Sequence, residues 1–298
     1  MSTLSAARID AFRRDGFVTG LPALEPAEVA RFNAATERFE RAHAADAAWA
    51  FDIKCNLLLD WVQENGAHPR ILEPVAQLVG DDVLLTNSIF RIKEPGSAVN
   101  YGWHQDSARI RVTPCPVIVY VAFSEATEAN GCLAVIPGTH TAVAPFDLVS
   151  NPSQPNRRVA RVRNPDAGRA VLLTLRPGEI AIFSANLVHG SGANRSPRRR
   201  VAVLHDYTPA AAQQSRGRGS GQLVMGTDRF GHFAPEPIPG PDFEANAAMR
   251  RRVLNAYPEN ILMGPLEPGA HPDFPDRAGA RPASTSAPGA AAASPAAQ

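Results

Sequence analysis

The chain has 298 residues, and 30 Lys and Arg against 29 Asp and Glu give it a formal net charge of +1. Hydrophobic residues make up 44%, which suits one large globular domain or two small ones. The balanced charge argues against a nucleic-acid binder and against a polybasic membrane binder. No run of about 18 apolar residues occurs, so the sequence predicts no transmembrane helix.

The start of the chain and the cysteines indicate the cellular compartment. The N-terminal sequence MSTLSAARIDAFRRDGF lacks the unbroken apolar core of a secretory signal. Three cysteines, Cys55, Cys115 and Cys132, fit neither a disulfide framework nor a CxxC metal site. We therefore expect a cytoplasmic protein with reduced thiols. The sequence indicates no oligomeric state.

The first third of the chain has helical periodicity. Residues 5–14 carry apolar side chains at positions i and i+3, and Gly16 ends this helix. A second helix begins at Pro26, because proline is favoured in a first helical turn. A third helix begins at Pro69 and ends at Gly80.

From about Val83 the period changes to that of short strands. Gly, Pro and Asn separate apolar runs that are rich in β-branched and aromatic residues. Because no helical pattern lies between them, these runs predict an antiparallel sandwich or barrel with helices packed outside it. The runs are VLLTNSIFRI, PVIVYVAF, CLAVI, AVLLTL, EIAIF and RVAVLHDY.

The end of the chain is compositionally different. Residues 265–298 are rich in Ala and Pro, and no large apolar residue follows Phe274. Such a segment cannot bury enough surface to offset the entropy of ordering it, so we expect disorder. The predicted single domain is then 1–264, with a helical part at 1–80 and a β core at about 83–210.

The most informative segment is YGWHQDS, which holds His104 and Asp106. On a strand, side chains at i and i+2 point to the same face. An imidazole and a carboxylate converging there are two of the three ligands of the facial triad that binds Fe(II). A second HxD, His271 with Asp273, lies in the predicted disordered tail, so we expect no metal there.

The third ligand and a cosubstrate contact follow from a later segment. His189 ends an apolar strand and enters a Gly-Ser-Gly turn, and Arg200 begins the next strand eleven residues later. If the iron binds 2-oxoglutarate, the distal carboxylate of that cosubstrate needs a partner. A buried arginine offers a fixed bidentate fork, whereas lysine offers only a point charge.

The sequence resembles the phytanoyl-CoA dioxygenase-like branch of the Fe(II)/2-oxoglutarate-dependent oxygenases. The resemblance covers roughly residues 10–207 in matching order and spacing. It includes DGFV at 15–18, the WHQD block, the stretch EATEANGCLAVIPGTH at 125–140, and HGSGANRSPRRR at 189–200. It implies a fold that is mostly β with α, namely a double-stranded β-helix (jelly-roll, cupin-like) core with iron at one mouth.

The resemblance also implies roles for individual residues. It assigns the iron ligands to His104, Asp106 and His189, and the salt bridge to 2-oxoglutarate to Arg200. It suggests a further hydroxyl contact from Ser191, two residues after the distal histidine. Fe(II), 2-oxoglutarate and O₂ would then be the cofactor and cosubstrates.

Two further residues are assigned by the same resemblance. Asn87 lies on an earlier strand, where relatives often place an amide near the cosubstrate. Tyr120 stands where many relatives carry Trp, and its phenol either contacts the cosubstrate or only packs in the core. Arg198 shares strand parity with Arg200 and is the second candidate for the cosubstrate contact. His205 should point to the opposite face.

The reaction that the resemblance implies is oxidative decarboxylation of 2-oxoglutarate to succinate and CO₂, coupled to oxidation of an unactivated C–H bond of a small-molecule substrate. Hydroxylation is the leading outcome, with desaturation, epoxidation, cyclisation and epimerisation as alternatives. Asp106 argues against halogenation, because halogenating relatives lack the carboxylate ligand. The Ala-, Arg- and Pro-rich composition is compatible with secondary metabolism. Two other classes stay open: a non-catalytic jelly-roll metalloprotein, and a Zn- or Mn-dependent isomerase or hydrolase, which would not need Arg200.

The substrate contacts are the least specific part of the prediction. Arg109 and Arg111 lie in a loop that should cover the iron, and Arg91 shares the strand parity of the predicted pocket. These cations would meet an anionic substrate group, or they are solvated surface residues. The glycine-rich segment 217–233 predicts either a mobile lid or a plain connecting loop.

Overall fold

The computed structural model describes residues 3–108, 112–151, 154–215, 217–257 and 281–282. Within these ranges the helices are α1 (Ala6–Asp15), α2 (Pro26–Ala42), α3 (Ala47–Ala50), α4 (Asp60–Gly66), α5 (Pro69–Val79) and α6 (Phe243–Ala256). The strands are β1 (Phe17–Pro22), β2 (Val83–Lys93), β3 (Tyr101–His104), β4 (Val112–Thr113), β5 (Val117–Ala122), β6 (Leu133–Val135), β7 (Phe146–Asn151), β8 (Gln154–Val162), β9 (Val171–Leu173), β10 (Glu179–Ser184), β11 (His189–Ser191), β12 (Arg200–Pro209), β13 (Gln213–Gln214), β14 (Ser220–Met225), β15 (Ala234–Pro235) and β16 (Arg281–Pro282).

The N-terminal helices begin and end at the residues that the sequence indicates. The Ser5 side chain caps α1, which ends at Gly16 in the left-handed conformation with φ 86°. Pro26 occupies the first turn of α2, and Glu25 and Glu28 form a reciprocal capping box there. Helix α5 also begins at a proline. All three predicted helices are confirmed, whereas α3, α4 and α6 were not predicted.

The larger sheet holds seven strands in the order β1-β10-β5-β12-β2-β14-β15. Its neighbours pair antiparallel, except that β14 and β15 are parallel. At the centre, β12 lies between β5 and β2, with Arg200 opposite Lys93 and Asp206 opposite Asn87. This register brings polar side chains from distant parts of the sequence next to each other.

The smaller sheet has the order β16-β9-β6-β11-β3. Strand β11 lies between β6 and β3, and its pairing with β3 places His189 opposite His104. A separate hairpin of β7 and β8 packs against β3. The two sheets face each other without closing into a barrel.

Alternation along β5 shows how the layers pack. Val119 and Val121 belong to the apolar cluster shared with helices α2, α4 and α5. Ile118 and Tyr120 belong to a second cluster, which lies between the two sheets. Both faces of the strand are therefore buried, which explains its unbroken apolar sequence. Burial of this kind stabilises by about 25 cal/mol per Å² of apolar surface.

The predicted fold class is confirmed: the chain is mostly β, with helices outside a two-sheet core. All six predicted strand runs form strands, namely β2, β5, β6, β9, β10 and β12. Strand β1 and the hairpin of β7 and β8 were not predicted. Their sequences carry too few consecutive apolar residues to stand out, and their pairing partners are remote.

Three other predictions concern the C-terminal part of the chain. Strand β14 lies inside the segment 217–233, so this part pairs with β2 rather than forming one continuous loop. The predicted disordered tail lies outside the described residues, apart from β16, which runs parallel to β9. Among the described residues, no helix is both long enough and apolar enough to cross a membrane.

Candidate metal centre and cosubstrate cavity

Two histidines from paired strands face each other in the smaller sheet. His104 ends β3 and His189 begins β11, with ring centroids 4.2 Å apart. The Nδ1 atom of His104 lies 2.7 Å from the Gly102 carbonyl, and that of His189 lies 2.9 Å from the Leu187 carbonyl. Because Nδ1–H donates to a carbonyl in each case, each Nε2 keeps its lone pair for a metal.

Asp106 completes the cluster from a short 3₁₀ turn that follows β3. Its Oδ1 is 3.5 Å from Nε2 of His104, and its Oδ2 is 3.6 Å from Nε2 of His189. One ligand atom from each residue lies within 4.8 Å of the others. Burial and the neighbouring His189 lower the pKa of His104, which favours the neutral ligand form. Such a set of two imidazoles and one carboxylate can hold Fe(II) and leave three coordination positions open.

The position of Asp106 corrects one step of the sequence argument. Strand alternation predicts that both HxD ligands lie on one strand, but β3 ends at His104. The two side chains converge because the backbone turns, and Gln105 holds this turn. The buried Gln105 amide donates to the carbonyls of Thr139 and Ala142 at 3.1 and 2.9 Å, and its Oε1 accepts from Ala144 N at 2.7 Å.

Sequence reasoning did not identify Gln105 as a functional residue. A polar side chain between two ligands points away from the metal, so a search for ligands passes over it. The structure shows that Gln105 is buried within a loop. This burial depends on its hydrogen-bond partners, which the sequence does not reveal. We assign it a positioning role, since its contacts join the ligand turn to the segment that precedes β7.

The triad opens onto a cavity between the sheets. The cavity combines the metal-binding side chains with cations, hydroxyl groups and two leucines. Its lining residues are Arg91, Tyr101, His104, Asp106, Tyr120, Leu133, His189, Gly190, Ser191, Arg200 and Leu204.

Arg200 supplies a buried cation to this cavity. Only 1% of the residue is exposed, and its guanidinium donates to the Gly131 carbonyl. Gly131 lies in a turn with φ 71°, and a Cβ atom on this residue would lie 2.2 Å from the Gly192 carbonyl oxygen. Glycine is therefore required at this position. Neither Nε of Arg200 nor the hydroxyl of Tyr120 has a hydrogen-bond partner in the described part of the chain.

These unpartnered atoms test whether 2-oxoglutarate fits. Buried polar groups are normally satisfied, so two unsatisfied donors in one cavity call for an acceptor. The Arg200 Cζ atom is 5.9 Å from the Tyr120 ring centroid, so both groups lie at the same end of the cavity. A carboxylate placed there would accept from both. The donor set therefore fits an anionic cosubstrate.

Lys93 adds a second cation that sequence reasoning missed. It is fully buried, lies opposite Arg200 in the sheet, and donates to Ser191 Oγ at 2.8 Å and to the Gly192 carbonyl. Burial, followed by repulsion from Arg200, lowers the pKa of Lys93 to about 6. The available signal was its register: once β2 and β12 are paired, Lys93 and Arg200 are neighbours on one face.

A profile of the family described as phytanoyl-CoA dioxygenase (PhyH) matches residues 12–202. The chain belongs to the PhyH family. The peroxisomal phytanoyl-CoA dioxygenase of Homo sapiens is 27% identical over 161 residues, which cover 52% of this chain and 48% of that protein. This chain thus spans about half the length of the curated relatives it matches.

Solved structures agree with the PhyH assignment. The apo form of the non-heme monooxygenase ThoJ is 28% identical, covers 85% of this chain and 96% of its own, and superposes with a TM-score of 0.76. CytC3 with Fe(II) and alpha-ketoglutarate is 24% identical, covers 81% and 97%, and has a TM-score of 0.59, which supports the fold alone. The predicted family is confirmed, as is the predicted cofactor class at family level.

Within this PhyH chain, the other predicted site residues have distinct positions. Ser191, Tyr120 and Arg91 all line the cavity. The Arg91 guanidinium carbon lies 5.0 Å from the ring centroid of Tyr101, so the cation is placed over an aromatic face. Their contacts with cosubstrate or substrate stay predictions.

Asn87 is engaged elsewhere than at the Arg200 end. Its Oδ1 accepts from the Lys54 backbone N–H at 2.8 Å, and its Nδ2 donates to Asp206 Oδ2 at 3.0 Å. Both atoms of the amide are thus bonded within the protein. The predicted contact of Asn87 with the cosubstrate stays a prediction. Arg109 and Arg111 lie outside the described residues.

The structure places two neighbours of Arg200 away from the cavity, His205 as strand parity predicts and Arg198 because it lies before the strand. His205 is buried on the opposite face, where its ring contacts Ser88 Oγ at 2.7 Å and Asn65 Oδ1 at 2.9 Å. Burial lowers the pKa of His205 to about 3, so this imidazole is neutral. Arg198 is exposed and precedes β12, which removes it from the cavity.

Proposed function

We propose that this protein is an Fe(II)- and 2-oxoglutarate-dependent oxygenase that hydroxylates an unactivated C–H bond of a small metabolite, with release of succinate and CO₂. One observation carries the proposal. The His104, Asp106 and His189 cluster opens onto a cavity in which Arg200 and Tyr120 hold unpartnered buried donors.

In this proposal the metal is held by His104, Asp106 and His189. Bound Fe(II) supplies the activation of O₂ and the oxidising power, chemistry that no side chain provides. Arg200 receives the distal carboxylate of 2-oxoglutarate as a bidentate partner. Lys93, which lies opposite Arg200 and donates to Ser191, adds a second positive charge beside the carboxylate once it is protonated.

The protein's own contribution is position and exclusion of water. Leu133 and Leu204 line the cavity between the sheets, and their burial keeps competing reductants and solvent from the reacting groups. Arg91 offers a cation to an anionic group of the substrate. Desaturation, epoxidation, cyclisation and epimerisation remain alternative outcomes, since they use the same cofactors and differ in substrate geometry.

Two features favour this function over its competitors. Asp106 supplies the carboxylate ligand that a halogenating relative lacks, which argues against halogenation. A Zn- or Mn-dependent isomerase or a non-catalytic metalloprotein would leave the buried donors of Arg200 and Tyr120 without an acceptor. The free thiols of Cys55, Cys115 and Cys132 support a reducing, cytoplasmic location as a further part of the proposal.

The test is aerobic incubation of the protein with Fe(II), ascorbate and 2-oxoglutarate, followed by measurement of succinate. We expect slow formation of succinate without a second substrate, and none with His104→Ala. Absence of both succinate formation and 2-oxoglutarate binding in the wild type would contradict the proposal. A metabolite screen by mass, for gain of one oxygen or loss of two hydrogens, then identifies the substrate and the outcome.

A further inference from the structure

Asp206 continues the inner face of β12. Arg200 and Leu204 line the cavity, and Asp206 follows Leu204 by two residues on the same face of the strand. The intervening His205 points to the helices instead, as its contact with Asn65 shows. Asp206 therefore lies on the cavity side of the sheet, beyond the level of Leu204.

One oxygen of Asp206 is fixed and the other is free. Its Oδ2 accepts from Asn87 Nδ2 at 3.0 Å, and Asn87 is itself oriented because its Oδ1 accepts from the Lys54 backbone N–H at 2.8 Å. Within the described part of the chain, Asp206 Oδ1 has no hydrogen-bond donor, and the carboxylate has no ion pair. The Asn87 amide thus orients a carboxylate that the fold leaves half satisfied.

Asp206 is held without a paired cation among the described residues, although the Asn87 amide links its carboxylate to the Lys54 backbone. Burial and the negative charge of Asp106 raise the pKa of Asp206 to about 7, so ionising it is costly. Glu236 shows how the same protein pairs a buried structural acid with a cation, although its Oε2 has no hydrogen-bond partner in the described part of the chain. Its Oε1 is 2.5 Å from Lys54 Nζ and 2.5 Å from Ser220 Oγ.

We propose that Asp206 is a substrate-recognition residue whose free oxygen receives a cationic N–H donor of the substrate, which makes the substrate an amine. This inference rests on the proposed function, because it assumes that the reacting carbon lies at the metal centre. The assignment explains why a carboxylate is kept on this face without a cation of its own. It also explains why Asn87 is bonded on both sides, since an oriented acceptor loses less entropy when it binds.

A cationic donor is a better partner for Asp206 Oδ1 than a neutral hydroxyl group is. The electrostatic neighbours of Asp206 are Asp106, Arg91 and Lys54. Lys54 is already paired with Glu236, and Arg91 is placed over Tyr101. A charged donor that approaches the free oxygen gains a charge-assisted hydrogen bond, which is about twice as strong as a neutral one.

The test uses a defined probe and a readout other than turnover. Co(II) replaces iron in the protein with 2-oxoglutarate, and fluorine NMR follows the binding of trifluorobutylammonium or of its neutral analogue trifluorobutanol. We expect the ammonium probe to bind the wild type with paramagnetic broadening from the metal. Asp206→Asn should weaken this binding about ten-fold or more, the loss typical of a charge-assisted hydrogen bond, and should not weaken binding of the alcohol.

Two other variants complete the experiment. Asp10→Asn removes an exposed carboxylate from α1 and should leave binding of the ammonium probe unchanged. Asn87→Ala keeps the Asp206 charge but removes its orientation, so the probe should bind several-fold more weakly. If Asp206→Asn does not fold, Asn87→Ala decides the question.

The inference is overturned if the ammonium probe fails to bind the wild type, if it binds without broadening, or if Asp206→Asn binds it equally well. If Asp206→Asn does not fold, equal binding by Asn87→Ala overturns it. A calorimetric titration of the wild type with 2-oxoglutarate separates the two proposals. If the wild type does not bind 2-oxoglutarate, the proposed function is refuted. If it binds 2-oxoglutarate but does not bind the ammonium probe selectively, only the role of Asp206 is refuted.

Discussion

Two neighbouring cations at one end of the cavity have different chemistry. Arg200 offers a planar guanidinium, whereas burial and the charge of Arg200 lower the pKa of the Lys93 amine to about 6. This environment therefore favours a neutral Lys93 at neutral pH. A bound dicarboxylate reverses this preference, because an anion beside the amine stabilises its charged form.

Arg200→Ala should raise the KM for 2-oxoglutarate by about two to three orders of magnitude. Removing one partner of a buried charge pair costs about 3–5 kcal/mol, and about 1.4 kcal/mol corresponds to each ten-fold change. Arg200→Lys should restore part of the loss, since one ammonium cannot form the bidentate fork. Steady-state kinetics of succinate formation measure the effect.

The exposed Arg198 provides the matched control for Arg200, and Arg198→Ala should change the KM little. A severe effect of Arg198→Ala combined with a mild effect of Arg200→Ala would contradict the assignment. Metal binding should survive in both variants, because neither side chain is a ligand.

Lys93→Met should weaken 2-oxoglutarate binding a few-fold, and at most about ten-fold, at neutral pH. A hydrogen bond to a charged group contributes about 1.5–3 kcal/mol, and protonating a lysine of pKa about 6 at pH 7 offsets about 1.4 kcal/mol of this. Calorimetric titration at several pH values measures both the affinity and the proton uptake.

The same lysine predicts the pH dependence of cosubstrate binding. Binding of 2-oxoglutarate raises the pKa of Lys93 above its value of about 6 in the free protein. The affinity for 2-oxoglutarate is therefore greatest below about pH 6, and it falls as the pH rises towards the pKa of the bound state. Lys93→Met should lose this dependence. A wild type whose affinity is constant from about pH 6 to pH 8 would show that Lys93 does not contact the anion.

At the scale of elements, the metal site depends on where a strand stops. Strand β3 supplies His104, and the 3₁₀ turn after it supplies Asp106. Gln105 lies between them and is bonded to the segment that precedes β7, so the turn is held from the side opposite the metal. Strand β11 adds the third ligand through its pairing with β3.

Gln105→Leu should lower metal affinity about 10–100-fold while all three ligands remain, the range typical of residues that orient ligands. Leucine has a similar volume but leaves the carbonyls of Thr139 and Ala142 and the N–H of Ala144 without partners. Titration with Co(II), followed by its absorption bands, measures the affinity.

Gln77→Leu is the control for Gln105→Leu, because Gln77 also bonds to backbone atoms, those of Leu4, but lies on α5. Its substitution should affect stability without changing metal affinity. Equal metal affinity in Gln105→Leu and the wild type would refute the positioning role.

At the scale of the whole molecule, the two apolar layers have different roles. One joins the helices to the larger sheet, and the other joins the two sheets and surrounds the cavity. Every residue that we assign to metal, cosubstrate or substrate lies between Asn87 and Asp206. The helical layer supports the larger sheet from behind, and it lies on the face opposite the cavity.

Deletion of the residues after Gly264 should leave 2-oxoglutarate turnover unchanged, because no assigned site residue lies there. The deletion removes β16, whose two residues pair with β9 at the edge of the smaller sheet. Succinate formation by the truncated and full chains measures the result, and His271→Ala should match the wild type. A truncated protein that folds but does not turn over 2-oxoglutarate would show that the tail contributes to the site.

The sequence alone determined the family, the fold class and the residue types of the metal centre. Order and spacing along the chain are enough to identify the candidate site residues without knowledge of any contact. These residues are His104, Asp106, His189 and Arg200. The strand runs are equally local, since alternation and β-branching are read within a few residues. The caps at Ser5 and Pro26 are local in the same sense.

Only the tertiary structure decided how these residues work together. The pairing of β2 with β12 places Lys93 beside Arg200 and Asn87 beside Asp206, although more than 100 residues separate each pair along the chain. The burial of Gln105 depends on a loop that lies some 35 residues further on. Register and burial are properties of the packed sheets, so a local pattern predicts which side chains are present but not which of them meet.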